Sequence, residues 1–237
     1  VLRFCEALVR SGVHVTWKAF GRVHLTDEDM IRAIEACGCV ETRFGIESGA
    51  DRILERTRKG FTSAEAVEVV NRACRIFRRT DTFYVWGYPF ATMNDFYQSV
   101  FQMVSFRMMG ARILPSLLCL LPQTQTCRDH VDPAKLEIAP DLLPEYMITG
   151  HEVSRDAHVE IRDELAEVFA FIRQHPDIFR AFFHVWLETD IRPKLRGLRE
   201  FGFYPASSEE RERMESCGAH SPRLNDSQRD LATRELA

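Results

Sequence analysis

Apolar positions in the first two-thirds of the chain alternate between two periods. At residues 1–10, Val1, Phe4, Cys5 and Leu8 fall on one face at helical spacing, and Gly12 is placed to stop the helix. Val13, Val15, Trp17 and Ala19 then alternate with His14, Thr16 and Lys18, which predicts a strand. Thr26 is expected to cap a second helix. Asp27, Glu28 and Asp29 lie in its first turn, Met30, Ile31 and Ile34 form its stripe, and Gly38 ends it. Residues 40–46 predict a second strand. After a loop, Thr62-Ser63-Ala64-Glu65 has capping-box spacing before a helix that carries Ala66, Val67, Val69, Val70, Ala73 and Phe77. A third strand is predicted at about residues 82–88, closed by Pro89. A helix follows from Asn94 or Asp95 to about Met109, and Gly110 breaks it before a leucine-rich strand at residues 111–121.

Strand and helix alternating at this spacing predict parallel βα units with right-handed crossovers. Four strands cannot close an eight-stranded barrel. The expectation is an α/β fold, a partial (β/α) barrel of parallel strands or an open sheet, over residues 1–126. In either architecture ligands sit at the carboxyl ends of strands, here after Ala19, Ile46, Tyr88 and Leu121.

Residues 127–204 predict a loop and helical C-terminal segment. The stretch 122–157 reads as loop, with Pro122, Pro133, Pro140 and Pro144. Helices follow at 158–175, through Val159, Leu165, Val168, Phe169 and Ile172, and from Pro176 through Ile178, Phe179, Phe182, Phe183 and Trp186. A last helix is expected at about 189–201, ended by Gly202. Residues 205–237 hold only Met214, Leu224, Leu231 and Leu236 as large aliphatics among acids and arginines, and are expected to be disordered.

The 237 residues are 45% hydrophobic and 28% charged, enough for a substantial core. A formal charge of −4 argues against a mainly electrostatic nucleic-acid binder. No apolar run approaches the ~20 residues of a membrane span. The seven cysteines are irregularly spaced, which suits a reducing cytoplasm better than a disulfide scaffold. The first residue is Val1, inside a helical pattern, so a longer parent protein is expected.

Chemistry concentrates between Glu41 and Leu54. Gly45 inside a strand weakens it unless something approaches the backbone closely. Glu47 and Ser48 fall at the strand's carboxyl end, where a carboxylate and a hydroxyl can meet amine and ribose hydroxyl groups, and Gly49 frees the turn that follows. Read from the pattern alone, Glu47 is equally a solvated tip residue and Ser48-Gly49 an ordinary turn. The histidines have no metal-ligand spacing, and no Ser-His-Asp set, P-loop or dinucleotide fingerprint is present.

Trp17, Arg22, Thr26-Asp27-Glu28, Gly38-Cys39, then FGIESGADRIL at 44–54 and RKGFT at 58–62, resemble the radical S-adenosylmethionine superfamily. Their order is most similar to the branch with an upstream cobalamin-binding domain and its methylthiotransferase-like relatives. The third strand ends in Gly87-Tyr88-Pro89-Phe90-Ala91-Thr92, which keeps Gly, Pro and Thr of that family's GxPGET. Pro122-Gln123-Thr124-Gln125-Thr126 is a looser match to its PxPGT-like segment.

The resemblance implies a partial barrel that binds S-adenosylmethionine and a four-iron four-sulfur cluster. The cluster supports reductive cleavage of S-adenosylmethionine or radical methyl or group transfer, on a small-molecule or lipid-precursor substrate. It further implies cobalamin through an upstream domain and a reductant such as ferredoxin or flavodoxin. By the resemblance, Gly45, Glu47, Ser48 and Gly49 line the S-adenosylmethionine site, Arg22 and Lys59 support it or a substrate carboxylate, and Pro89 belongs to the loop beside it. The family's CxxxCxxC is absent: no two cysteines here have either spacing. Two other readings stay open. One is a non-catalytic truncated remnant serving as a binding or assembly module, and the other is an unrelated βα-barrel enzyme such as an aldolase or dehydratase.

Overall fold

A computed structural model describes residues 1–118, 124–130, 137–138, 166–175, 178–179, 183–184 and 187–204. The chain opens with α1 (Leu2–Ser11), which Gly12 ends in the left-handed conformation at φ 68°. Its stripe buries less than the spacing predicts. Cys5 is buried, whereas Val1 and Phe4 are exposed, and Phe4 meets Trp17 edge-on at 5.9 Å.

Four strands then alternate with helices. They are β1 (Trp17–Gly21), β2 (Cys39–Glu47), β3 (Arg79–Trp86) and β4 (Arg112–Leu117). Their order in the sheet is β1-β2-β3-β4, every pair parallel. Between them run α2 (Glu28–Ala36), α3 (Asp51–Arg56), α4 (Ser63–Ile76) and α5 (Met93–Met108). The expected βα architecture is therefore present: an α/β fold with an all-parallel four-stranded sheet.

Several boundaries differ from the pattern, each for a local reason. The first strand begins at Trp17, since Val13 and Val15, which carried the alternation, are both exposed. Asp27, not Thr26, caps α2 by accepting the Met30 amide at 2.8 Å, while the Thr26 hydroxyl donates to the Arg22 carbonyl at 2.6 Å. The Thr62–Glu65 capping box forms as the spacing requires. A second one, Thr92 with Asp95, starts α5. The fourth strand ends at Leu117, and its Pro115 lies in an edge strand, where a missing N–H is tolerated.

The core fills the side of the sheet on which α2, α4 and α5 pack. Phe44 and Ile46 of β2 and Tyr84 and Trp86 of β3 meet Ile31, Val70, Val100, Met103 and Phe106 there. Tyr84 Oη donates to Gln102 Oε1 at 2.8 Å, satisfying a fully buried hydroxyl; burial raises that phenol's pKa well above its usual value.

In the C-terminal third, α6 (Gln125–His130) replaces part of the expected loop, because the Thr124 hydroxyl caps it by accepting the Cys127 amide at 3.3 Å. Glu137–Ile138 (β5) pairs antiparallel with Phe183–His184 (β6), so the helix expected from Pro176 does not run through Phe183. Cross-strand pairing supersedes a local period here. Next come α7 (Ala166–Gln174), then a π turn at Leu187–Ile191 leading into α8 (Arg192–Glu200). Residues 205–237, Pro133, Pro140, Pro144 and the expected helix start at 158 lie outside the described residues. Among the described residues no helix is long and apolar enough to cross a membrane.

Candidate functional site

Glu47 is the last residue of β2 and has a left-handed backbone, at φ 70°. That region is costly for a residue with a Cβ and is worth an explanation wherever it occurs. It coincides with a break in register: Gly45 pairs with Phe83, but Glu47 pairs with Tyr84, so an extra residue is accommodated beside β3. The bulge re-aims the Glu47 carboxylate back along its own strand. Oε1 accepts from Lys59 Nζ at 3.2 Å, with both side chains about three-quarters buried. Gly45 makes the room, because a Cβ there would stand 2.8 Å from Glu47 Oε1.

Ser48 and Gly49 do something different. Ser48 is buried; its Oγ lies 2.9 Å from Ser99 Oγ of α5 and accepts the Ala50 amide at 3.1 Å. The Gly49 amide donates to Ser99 Oγ at 3.0 Å, and the Ser99 hydroxyl donates to the Asp95 carbonyl. A Cβ on Gly49 would meet the Gln98 carbonyl at 2.7 Å and Ser99 Cα at 2.9 Å. The close approach that Gly49 permits is thus that of α5, and the Ser48 hydroxyl is engaged within the protein.

The loop after β3 forms the neighbouring rim. Gly87 has φ 84°, and a Cβ on it would strike Leu117 Cδ1 at 2.6 Å. Pro89 occupies the second position of a turn closed by the Ala91 amide donating to the Tyr88 carbonyl at 3.0 Å, a place its fixed φ suits. Burial raises the Tyr88 phenol's pKa, and the nearby Glu47 charge raises it further. Arg52 ties the rim to α5 by donating to the Phe90 carbonyl at 2.8 Å and forking onto the Asp95 carboxylate. Burial alone would raise the Asp95 carboxyl, but the Arg52 guanidinium and the Thr92 hydroxyl and amide hold it at about 2.

The structure therefore brings Gly45, Glu47 and Lys59 together, with Tyr88 and the Pro89 turn alongside. Arg22 is exposed after β1, where its carbonyl accepts the Thr26 hydroxyl, and the ion pair of Glu47 is with Lys59. Sequence reasoning missed Lys194 of α8. Its side chain is 1% exposed, it pairs with Asp190 Oδ1 at 2.5 Å, and it reaches to 3.5 Å from the Ala91 carbonyl of the rim. Only the i,i+4 spacing of Asp190 and Lys194 hinted at the pair. A cavity of about 450 Å³ between α4 and α5, lined by Ser63, Tyr97, Gln98 and Gln102, holds no carboxylate, amine, imidazole or thiol and is not the site.

Among the described residues no group of three or more His, Cys, Asp or Glu could hold a metal ion. Cys5, Cys37 and Cys39 are buried near one another between α1, α2 and β2. Burial, reinforced by Cys37, pushes the Cys5 thiol up to about 11, which opposes the thiolate form that clusters require. The described residues do not fit a four-iron four-sulfur cluster.

No family model matches the chain. Over 86 residues, 36% of this chain, it is 30% identical to an uncharacterised methyltransferase of Pyrococcus horikoshii, and the match spans 19% of that protein. Among solved structures it is similar to the cobalamin-dependent S-adenosylmethionine radical enzyme OxsB (TM-score 0.38, 14% identity, 43% of this chain and 16% of that one). It is similar also to TsrM, a radical S-adenosylmethionine methyltransferase from Kitasatospora setae (TM-score 0.44, 15% identity, 59% and 29%). A further one is HemN, the coproporphyrinogen III oxidase of Escherichia coli (TM-score 0.42, 14% identity, 73% and 36%). The matched part spans from about a sixth to about a third of these proteins' own lengths. The motifs of this chain resemble those of the radical S-adenosylmethionine superfamily, and the solved structures named here are radical S-adenosylmethionine enzymes.

Proposed function

We propose that residues 1–126 are the part of a radical S-adenosylmethionine enzyme that holds S-adenosylmethionine at the carboxyl end of its sheet. The parent enzyme would carry out radical cleavage or methyl transfer on a small molecule or lipid precursor. One observation carries this reading: the Glu47 carboxylate, inside the GIESG segment, is held at the end of β2 by a bulge and a left-handed backbone. A solvated tip residue has no need of either. Strain of this kind, of order 1–3 kcal/mol, persists only where the surroundings over-determine it, and it gathers at ligand sites.

In this reading Glu47 accepts charge-assisted hydrogen bonds from the ammonium of S-adenosylmethionine, or bonds from its ribose hydroxyls. Lys59 orients that carboxylate and offers its own charge to the ligand's carboxylate. Ser48 and Gly49 act indirectly, by fixing the turn against α5. The Pro89 turn, braced by Arg52 and Lys194, walls the site. Because the described residues do not fit the cluster, no chemical step is assigned to them; their part is to bind and orient. Saturation-transfer NMR of the 237-residue chain with S-adenosylmethionine tests the reading and suits weak binding. Transfer to the adenine and ribose protons is the expected result, and its absence at millimolar ligand overturns the proposal.

A further inference from the structure

The face of the sheet opposite α2, α4 and α5 carries a charge imbalance. Glu41 and Asp81 are buried on it, at 3% and 0% exposure. Four cations surround them. Lys18 and Arg43 reach Glu41 at 3.2 and 2.6 Å, and Arg112 and Arg79 reach Asp81 at 2.6 and 3.2 Å. Two carboxylates against four cations leave a net positive surface. The buried acids fix the guanidiniums while Lys18, Arg79 and Arg112 remain about half exposed. Arg79 faces both acids through its Nε, at 3.2 Å from Asp81 and 3.8 Å from Glu41.

One step toward the carboxyl end, the charge gives way to an aromatic floor. Phe20, 76% exposed, stacks on Phe83 with centroids 6.2 Å apart and planes at 26°. The rings flank Gly45, which adds no side chain between them, and Arg43 lies 5.5 Å over Phe20. Glu41, Arg43 and Gly45 alternate along one face of β2, and beyond the bulge the Glu47 carboxylate turns back over Gly45, with Lys59 Nζ beside it. A lone exposed phenylalanine needs no explanation. A stacked pair bordered by under-compensated guanidiniums at one end and the Glu47–Lys59 ion pair at the other has the makings of a binding trough.

We infer that this face binds the substrate, a molecule with a flat apolar body and an anionic group. The body lies on Phe20 and Phe83, and a carboxylate or phosphate lies on Arg79 and Arg112. The direction is set by the charges: four cations against two acids draw the anionic end to Arg79 and Arg112, whereas at the other end Lys59 is already paired with Glu47, and the reacting end points there. This inference rests on the reading of Glu47 as the S-adenosylmethionine end of the site.

The probe is 2-naphthoate, titrated calorimetrically into the 237-residue chain without S-adenosylmethionine. Saturable one-to-one binding is expected, weakened by added salt. It should be weakened at least about tenfold by Phe20→Ser and by Arg79→Gln, as for loss of an anchoring contact. Both side chains are exposed enough to be replaced without opening the core, and circular dichroism confirms the fold of each variant. Equal binding of the neutral 2-naphthalenemethanol would make the face a plain apolar surface and overturn the inference. So would an absence of probe binding, or variants that lower stability while leaving probe affinity unchanged, the mark of a network that only joins strands. Probe binding without S-adenosylmethionine binding would overturn the reading of Glu47 and leave the trough. The reverse would overturn the trough and leave that reading.

Discussion

At the scale of single residues, Glu47 and Asp95 carry the sharpest consequences. A Cβ in the left-handed region costs roughly 1–2 kcal/mol, and glycine escapes that cost. Glu47 has φ 70°, so Glu47→Gly should be more stable than Glu47→Ala by about 1 kcal/mol, the reverse of the order in regular structure. Urea denaturation of the two variants checks it. Asp95 gives a pH dependence. Its folded pKa of about 2 lies below the unfolded value near 3.9, so the unfolded chain binds more protons between them. The stabilisation, about 2–3 kcal/mol, is complete above roughly pH 5 and disappears as pH falls through about 2. Asp95→Asn should remove that share of the acid sensitivity, seen as a smaller stability difference between pH 6 and pH 3. Of these features the sequence showed part. Glu47 is legible as a strand tip because periodicity ends there, but its left-handed backbone is not, since glutamate has no preference for that region. Asp95 is legible as a helix start, while its pairing with Arg52 joins residues far apart in the chain.

At the scale of elements, the contact between the turn after β2 and α5 decides how firmly the site is held. Ser48, Gly49 and Ser99 interlock there, and a methyl on Gly49 would meet α5 backbone rather than a flexible side-chain end. Gly49→Ala should therefore cost about 1–3 kcal/mol by overpacking, measured by thermal or denaturant unfolding. Thr92→Ala removes the cap of α5 and one partner of Asp95, and should cost about 1–2 kcal/mol by the same measurement. The capping boxes show what local sequence can and cannot convey. Both have the same spacing, yet in the sequence Thr92 falls in a motif after the third strand, and the pattern puts the helix start at Asn94 or Asp95. Gly49 looks like an ordinary turn glycine because α5, which needs the space, comes some fifty residues later. The strand formed by Phe183–His184 was unreadable for a similar reason: its partner, Glu137–Ile138, is remote in sequence.

At the scale of the molecule, helices on one side of a four-stranded parallel sheet leave the other side to the charged and aromatic residues of the trough. Alternation within the strands made the architecture readable, whereas the sorting of Glu41, Arg43, Asp81 and Arg112 onto one face emerges only with the register between strands. Cys5, Cys37 and Cys39 pack in the core, so anaerobic reconstitution of this chain should yield no stoichiometric iron and sulfide; a stable cluster absorbing near 400 nm (roughly, as for thiolate-held clusters) would refute their assignment as buried packing residues. What unites the sheet, the bulge and the rim is the Glu47 carboxylate as a ligand for S-adenosylmethionine. Titration of S-adenosylmethionine into the wild-type chain and Glu47→Gln, which keeps the size of the side chain, tests this most directly. Loss of a charge-assisted bond should weaken binding by about ten- to a hundredfold with the fold unchanged, whereas equal dissociation constants would make Glu47 a partner of Lys59 alone and contradict the account.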